Sequence, residues 1–214
     1  MQIARTDRTT VRRQSQRASY ERRLVDSVID EGLTCHVGFA IDGRPWVIPT
    51  IHARIDDVLY LHGAVANHML RSLSGGFEAC VTITLIDGLV LARSAFHHSM
   101  NYRSVMVFGR ATIVDDPDEK DAALHALVEH VVPGRTAEAR PPAAAELRKT
   151  PVLRLSITEA SAKVRTGGPI DDPEDLALPI WAGQLPLSTS YGSPVAEPDT
   201  TATVPAYVTG YRRP

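Results

Sequence analysis

The chain of 214 residues lacks most features that mark membrane, disulfide-rich or repeat proteins. It has only two cysteines, Cys35 and Cys80, and each lies in an apolar run typical of a strand. We expect both thiols to be free and buried in a reducing compartment, because no Cys-x-x-Cys pair indicates a zinc site. No run approaches the ~18 apolar residues of a membrane-spanning helix. The sequence therefore predicts a soluble, cytoplasmic protein with one main core.

Acidic residues are scarce at the N-terminus, although the whole chain has a net charge of −2. Residues 1–19 contain five arginines and one aspartate. This composition favours a solvated basic arm over a targeting peptide or a nucleic-acid-binding arm, so no nucleic-acid partner is expected. A nucleic-acid role would instead appear as salt-sensitive binding that is lost on deletion of residues 1–19.

Alternating units of strand and helix are also absent, which argues against a doubly wound parallel sheet. A helix is predicted over Tyr20–Glu31, with Gly32 as its C′ stop. Three strands then form an antiparallel meander over Leu33–Ile41, Trp46–Ile55 and Val58–His62, separated by hairpin-type turns.

The following residues continue this mainly β pattern with flanking helices. They predict a short helix at Asn67–Leu73, strands at Phe77–Leu85 and Arg103–Val114, a helix from Pro117 to Pro133, and a helix end and strand at Leu147–Ile157. The second helix should bury Leu124, Leu127, Val128 and Val131. About six strands with regular turns indicate a closed or nearly closed six-stranded antiparallel barrel.

The composition divides the chain into three parts. Residues 1–19 form the basic arm, and residues 20–166 form the barrel domain. Residues 167–214 are rich in Pro, Gly, Asp and Ser. We expect this C-terminal extension to wrap a partner subunit or to stay mobile.

The first candidate site is the segment LYLHGAVANH, residues 59–68. A strand here runs through small residues into the start of a helix, where free backbone N–H groups can meet an anion. This pattern predicts a phosphate-binding loop. The alternatives are a helix that Asn67 caps without a ligand and a core histidine at His62.

The second candidate site is SMNYRSVMVFGR, residues 99–110, in which polar groups precede an apolar strand. Arg103 can neutralise a phosphate or lie beside a reduced flavin, and Tyr102 and Ser104 can donate hydrogen bonds. Gly109 allows a close approach of backbone or partner. The alternative is a ladder of polar side chains on the surface.

Together with the strand Trp46–Ile51, these segments resemble the FMN-binding split barrel. The resemblance is to the nitroimidazole-reductase-like branch of the pyridoxamine-phosphate-oxidase superfamily, and it spans Arg22–Arg165. Its most specific part is NYRSVMVFGRATIVDDPDEKDAALHALVEHVVPGR, supported by LYLHGA and by SAKVRTGGPIDDPEDLALPIWAG.

The resemblance implies a homodimeric FMN-dependent oxidoreductase with the cofactor at the subunit interface. By analogy, three segments would line the FMN site: Val47, Ile48, Pro49 and Thr50 along the flavin ring; Leu61, His62, Ala66, Asn67 and His68 at the phosphate; and Tyr102, Arg103 and Ser104 completing the pocket. His62 matches a histidine beside cofactor and substrate and is the catalytic candidate. The substrate would be a nitroaromatic or similar small molecule, with NAD(P)H as a reductant.

Two departures from the family pattern affect this interpretation. Asn67-His68 replaces a basic pair, so the phosphate would lose a fixed positive charge. The chain also ends in GYRRP without the Arg-Leu-x-Pro ending of pyridoxamine-phosphate oxidases, so oxidation of vitamin B6 is not predicted.

Two alternatives remain open at this point. Some split-barrel proteins bind haem through a histidine, so haem is an alternative cofactor. A flavin- or haem-binding sensor without turnover is an alternative function, because no Ser/His/Asp set or carboxylate pair indicates catalysis. No metal site is predicted. His97 and His98 are adjacent, so in a strand they point to opposite faces. His125 and His130 lie five residues apart on a helix, too far around its axis to bind the same metal ion.

Overall fold

Two antiparallel sheets pack around a shared core in the computed structural model, which describes residues 1–213. These residues form the strands β1 Ala18–Ser19, β2 Thr34–Ile41, β3 Arg44–Ile51, β4 Ala53–Ile55, β5 Val58–His62, β6 Glu78–Leu91, β7 Ser99–Arg110, β8 Thr112–Ile113, β9 Val152–Ser156, β10 Glu159–Arg165 and β11 Gly183–Pro186. The helices are α1 Arg22–Glu31, α2 His68–Ser74, α3 Pro117–Val131, α4 Ala144–Lys149 and α5 Ala206–Thr209.

The larger sheet has the order β1-β10-β7-β6-β2-β3, and β11 also pairs with β6. The smaller sheet has the order β4-β5-β9-β8. The predicted fold class, mainly β with flanking helices in an antiparallel split barrel, is confirmed. Hydrogen bonding over residues 1–213 leaves both sheets open, so the barrel is split rather than closed.

Two predicted strands are each divided between the sheets. The chain leaves the larger sheet after β3 and enters the smaller one at β4, with the fully buried His52 between them. It makes the same change between β7 and β8, at Ala111. The continuous strands predicted at Trp46–Ile55 and Arg103–Val114 are therefore wrong, because an apolar run does not reveal a change of pairing partner.

The main core lies between the inner faces of the two sheets, with α1 and α2 packed against it. Val25, Val28 and Ile29 of α1 are fully buried, as the helical spacing predicted. Helix α1 ends at Glu31, directly before Gly32, as predicted, although Gly32 has φ −70° rather than a left-handed conformation. A Cβ at Gly32 would instead lie 2.3 Å from Ile83 Cγ2, which makes close packing the reason for this glycine.

Helix α3 begins as predicted, because the Asp116 side chain accepts a hydrogen bond from Glu119 N at 2.8 Å and Pro117 follows. Its apolar face is less buried than predicted. Leu127 is buried, but Val128 keeps 41% of its surface exposed. This exposed face lies on the cavity described below.

Both terminal segments contact the rest of the chain. Ile3 and Thr9 are buried and β1 pairs with β10, so the prediction that residues 1–19 are a solvated tail is wrong for these positions. Asp171 binds Arg93, β11 pairs with β6, and the segment ending at Arg213 contacts α3. No helix within residues 1–213 has the length and apolar character required to cross a membrane.

Candidate functional site

An open cavity of about 870 Å³ lies where β3 and β5 end, bordered by α3 and the segment that follows it. Ile51, the last residue of β3, and His62, the last residue of β5, form one wall. The opposite wall is apolar and comes mainly from α3, through Leu124, Leu127, Val128, Val131 and Val132. An apolar cavity with a few polar groups is typical of a cofactor or small-molecule site.

His62 is half-buried in this wall, and burial lowers the pKa of its imidazole. Its Nδ1 is inaccessible to solvent and has no hydrogen-bond partner among residues 1–213. The ring is therefore neutral near pH 7, and Nε2 is the nitrogen that a ligand in the cavity can reach. A neutral imidazole is the form that binds a metal.

Four other ionisable side chains line the cavity: Asp121, His125, Arg140 and Glu146. Arg140 Nη2 is 2.8 Å from Glu146 Oε1, and this contact, together with the backbone N–H of Ala143, lowers the pKa of Glu146 to about 2. Glu146 is thus ionised and its charge is matched. The apolar wall of α3 consequently faces a rim whose charges are largely paired.

Strand β3 forms an edge of the larger sheet beside this cavity. Pro45 and Pro49 have no N–H to give to β2, so they occupy positions whose backbone groups point away from β2. Val47 lies two residues from each proline, so its N–H and C=O also point away from β2. The free edge therefore offers several carbonyl acceptors and the Val47 N–H as a donor.

The segment between β5 and α2 lies next to this edge. Asn67 caps α2, because its Oδ1 accepts a hydrogen bond from Leu70 N at 3.2 Å. His68 is exposed, and its ring centroid lies 4.8 Å from that of Trp46 on β3. Ala66 is also exposed, whereas the Leu61 side chain is buried in the core. The structure thus brings the first two predicted segments together.

Tyr102, Arg103 and Ser104 lie on β7, three strand spacings or roughly 14 Å from β3 of the same chain. Arg103 binds Glu31 and Asp87 through all three guanidinium nitrogens, and these bonds raise its pKa. Two carboxylates therefore already match its charge. Tyr102 and Ser104 alternate with Arg103 and lie on the opposite face of the sheet.

Sequence reasoning missed the part of the cavity that α3 and residues 136–150 supply. For the histidines of α3, the spacing of His125 and His130 predicted only that they do not bind one metal ion together. A signal was present, because His125 follows Leu124 and precedes Val128 on the apolar side of the helix. Within residues 1–213 no group of three His, Cys, Asp or Glu side chains is arranged to hold a metal ion.

Comparisons with known proteins agree with this architecture. The family model for pyridoxamine 5′-phosphate oxidase matches residues 21–164. The flavocytochrome Anf3 of Azotobacter vinelandii is 38% identical with a TM-score of 0.91, and the match covers 98% of each chain. An FAD- and haem-binding protein of Mycobacterium smegmatis is 37% identical with a TM-score of 0.88, over 92% of this chain and 98% of that one.

A more distant structural match extends the comparison. A protein of Bacteroides thetaiotaomicron described as a 5-nitroimidazole antibiotic resistance protein is 24% identical with a TM-score of 0.58, over 69% of this chain and 86% of that one, and shows the same fold. No curated protein matches the chain significantly. The family match over most of the chain and the two close structural matches lead to one conclusion: the chain belongs to the pyridoxamine 5′-phosphate oxidase family.

Proposed function

We propose that this protein is an oxidoreductase that binds a flavin along the free edge of β3 and a haem in the cavity beside His62. The observation that carries the proposal is the neutral His62 imidazole, whose reachable nitrogen faces an apolar cavity that begins where β3 ends. A flavocytochrome and an FAD- and haem-binding protein at 38% and 37% identity support it.

The residues of the cavity suit a haem. Its volume of about 870 Å³ falls within the usual range of cofactor pockets, and Leu124, Leu127 and Val128 supply an apolar surface for a flat macrocycle. His62 would hold the haem iron through Nε2. Arg140 at the rim would be available to an acidic side chain of the porphyrin, in exchange for part of its contact with Glu146.

The free edge of β3 suits a flavin ring. The outward carbonyls of Pro45, Val47 and Pro49 can accept hydrogen bonds, and the Val47 N–H can donate one. His68 and Trp46 lie at the same edge and can contact a planar ligand. Bound there, a flavin supplies one- and two-electron transfer, while haem supplies one-electron and oxygen chemistry.

The sequence indicated FMN, whereas the relative described as binding FAD and haem favours FAD. We propose FAD, with NAD(P)H as a candidate reductant and a nitroaromatic or another small molecule as the acceptor. Chromatography of the flavin released by denaturation distinguishes the two cofactors. Recovery of FMN would restore the expectation from the sequence.

We also propose a homodimer formed through the outer face of the larger sheet. On this face, neighbouring positions of β6 and β7 present only uncharged side chains: Cys80, Thr82, Thr84, Ile86, Tyr102, Ser104, Met106 and Phe108. Ile86 and Met106 are 42% and 41% exposed. Such a face is typical of an interface, and pairing two copies would place Tyr102 and Ser104 between the subunits.

The absorption spectrum of the purified protein tests the cofactors directly. We expect a two-banded flavin spectrum together with a Soret band. His62→Ala should lose the Soret band and retain the flavin bands, because His62 contributes to the haem pocket. His98→Ala is the control, since His98 is exposed in the loop between β6 and β7. An unchanged Soret band in His62→Ala would contradict the assignment of His62 as the residue that holds the haem.

Turnover separates an enzyme from the second candidate, a non-catalytic flavin- or haem-binding sensor. Repeated oxidation of NADH with an added nitroaromatic favours an enzyme. A single bleaching of the flavin absorption, without further consumption of NADH, favours the sensor.

A further inference from the structure

We propose that His125 donates protons to the small molecule reduced in the cavity, and that Thr136 and Glu129 position its ring. The inference rests on the proposed oxidoreductase function and adds the proton donor to it. His125 would be the catalytic group, and Thr136 and Glu129 would be positioning residues.

A short chain of hydrogen bonds connects these three residues. His125 and Thr136 both line the cavity, from α3 and from the segment after it. His125 Nε2 lies 2.8 Å from Thr136 Oγ1, and Thr136 Oγ1 donates in turn to Glu129 Oε1. Glu129 also accepts hydrogen bonds from Gly134 N at 2.6 Å and from Thr136 N at 2.8 Å.

The direction of these bonds fixes the proton on the imidazole. The Thr136 hydroxyl and the two backbone N–H groups lower the pKa of Glu129, so this carboxylate is ionised and can only accept. The single hydroxyl proton of Thr136 therefore points to Glu129, and the hydroxyl oxygen accepts from His125 Nε2–H. Nδ1 is left as the nitrogen that can take up and release a proton.

The other ionisable groups on the cavity suit this role less well. His62 is assigned to the haem, and burial lowers its pKa. Glu146 is paired with Arg140 and stays ionised. Asp121 and His125 are both exposed, but of the two only His125 has its side chain positioned by a hydrogen bond within residues 1–213. Because His125 is exposed, water can restore its proton after each transfer.

Reduction of small acceptors requires such a donor. Two electrons from the reduced protein and two protons convert dioxygen to hydrogen peroxide. A nitro group takes up two electrons and two protons to give a nitroso group and water. A positioned acid typically accelerates proton transfer by ~10² to 10⁴.

The first test measures the position of the ring proton in the full chain, independently of turnover. Nitrogen NMR of the histidine side chains should show the proton of neutral His125 on Nε2, with His125→Gln identifying the signal. Thr136→Ser keeps the hydroxyl and should give the same result. Thr136→Val removes the acceptor and should give a mixture of both tautomers. A proton on Nδ1 in the unmodified protein, or an unchanged tautomer in Thr136→Val, would overturn the inference.

The second test uses dioxygen as the probe and follows reoxidation of the dithionite-reduced holoprotein at several pH values. His125→Gln and Thr136→Val should slow reoxidation about 10- to 100-fold and flatten its pH dependence. Thr136→Ser should keep both the reoxidation rate and its pH dependence. If the variants bind their cofactors and keep the reoxidation rate and its pH profile, the role of His125 is overturned while the proposed function stands. A protein that binds neither flavin nor haem would overturn the proposed function and the donor role with it, and the absorption spectrum identifies that case.

Discussion

His52 shows how a single residue at a change of sheet can set the acid stability of this protein. It is fully buried between β3 and β4, and its Nε2 lies 2.9 Å from Ile29 O. Because a carbonyl can only accept, Nε2 carries the proton, and the buried Nδ1 has no partner within residues 1–213. Burial, the main cause, lowers the pKa of His52 to about 4.

The direction of the resulting pH dependence follows from linkage. The unfolded chain protonates His52 near pH 6.5, whereas the folded protein keeps it neutral down to about pH 4. Between these values the unfolded state binds more protons, so the free energy of unfolding falls as the pH falls. His52 alone should remove about 2 kcal/mol of stability between pH 8 and pH 5.

Replacement of His52 by Gln tests this value, because glutamine can donate to Ile29 O but does not titrate in this range. Urea unfolding at pH 8 and pH 5 should show a loss of stability in the variant that is smaller by about 2 kcal/mol. An equal loss in both proteins would show that other groups, such as His130 with its lowered pKa, cause the acid sensitivity.

At the scale of elements, β3 combines a paired side with a free edge. Pro45 and Pro49 disturb neither the pairing with β2 nor the free edge, because their backbone groups point away from β2. The same alternation makes Val47 the donor of the free edge. A change at this residue can therefore separate flavin binding from folding.

Val47→Pro removes this N–H donor. The strand already accommodates prolines at positions 45 and 49, which have the same alternation as Val47. We expect the fold to persist and the affinity for flavin to fall roughly tenfold, which corresponds to the loss of one hydrogen bond. Val47→Ala keeps the N–H and controls for the lost side chain. Fluorescence titration with flavin measures both variants, and equal affinities would place the ring elsewhere.

The C-terminal segment stabilises the ends of two helices that frame the core and the cavity. Arg213 Nη2 donates to Asp30 O at 2.7 Å at the end of α1, and Nη1 donates to His130 O near the end of α3. Tyr211 Oη donates to Val131 O at 2.6 Å. A cation at a helix C-terminus interacts favourably with the helix dipole.

Arg213→Met should therefore lower the free energy of unfolding by roughly 2 kcal/mol, because charged hydrogen bonds to both helices are lost. Arg212→Met is a matched control, since within residues 1–213 Arg212 donates only to the neighbouring Tyr211 O. Urea unfolding at pH 8 compares the two variants. A similar effect of both would mean that the segment does not act through Arg213.

At the scale of the whole molecule, the proposed dimer depends on the patch of uncharged side chains that β6 and β7 present on the outer face of the larger sheet. Exposed apolar side chains of the C-terminal extension, such as Ile170 at 73% and Trp181 at 68%, provide further surface for a partner. Contiguous apolar surface of this kind is typical of interaction sites.

Met106→Glu places a charge beside Thr82 in the middle of this face. We expect the variant to elute as a folded monomer, because burying an unpaired carboxylate opposes association. Ala122→Glu, exposed on α3 away from the sheet, should behave like the unmodified protein. Light scattering with size-exclusion chromatography measures the mass, and a monomeric unmodified protein would contradict the dimer.

The sequence by itself determined the local elements and the family. Alternation in β6, the cap and proline at the start of α3, and the order of motifs up to residue 164 are local patterns, so they predict the fold class and point to β3 and to His62. Local patterns do not show which partner a strand chooses. The changes of sheet at His52 and Ala111 were therefore missed.

Only the tertiary structure decided which side chains share a site. It places His125 and Thr136 on the same cavity as His62, and it engages Arg103 with Glu31 and Asp87, residues far apart in the chain. It also leaves Val128 exposed on a helix face that spacing alone assigned to the core. The physical reason is that a helix or strand pattern specifies an apolar face, whereas the packing of distant segments decides whether that face is covered by protein or left to line a cavity.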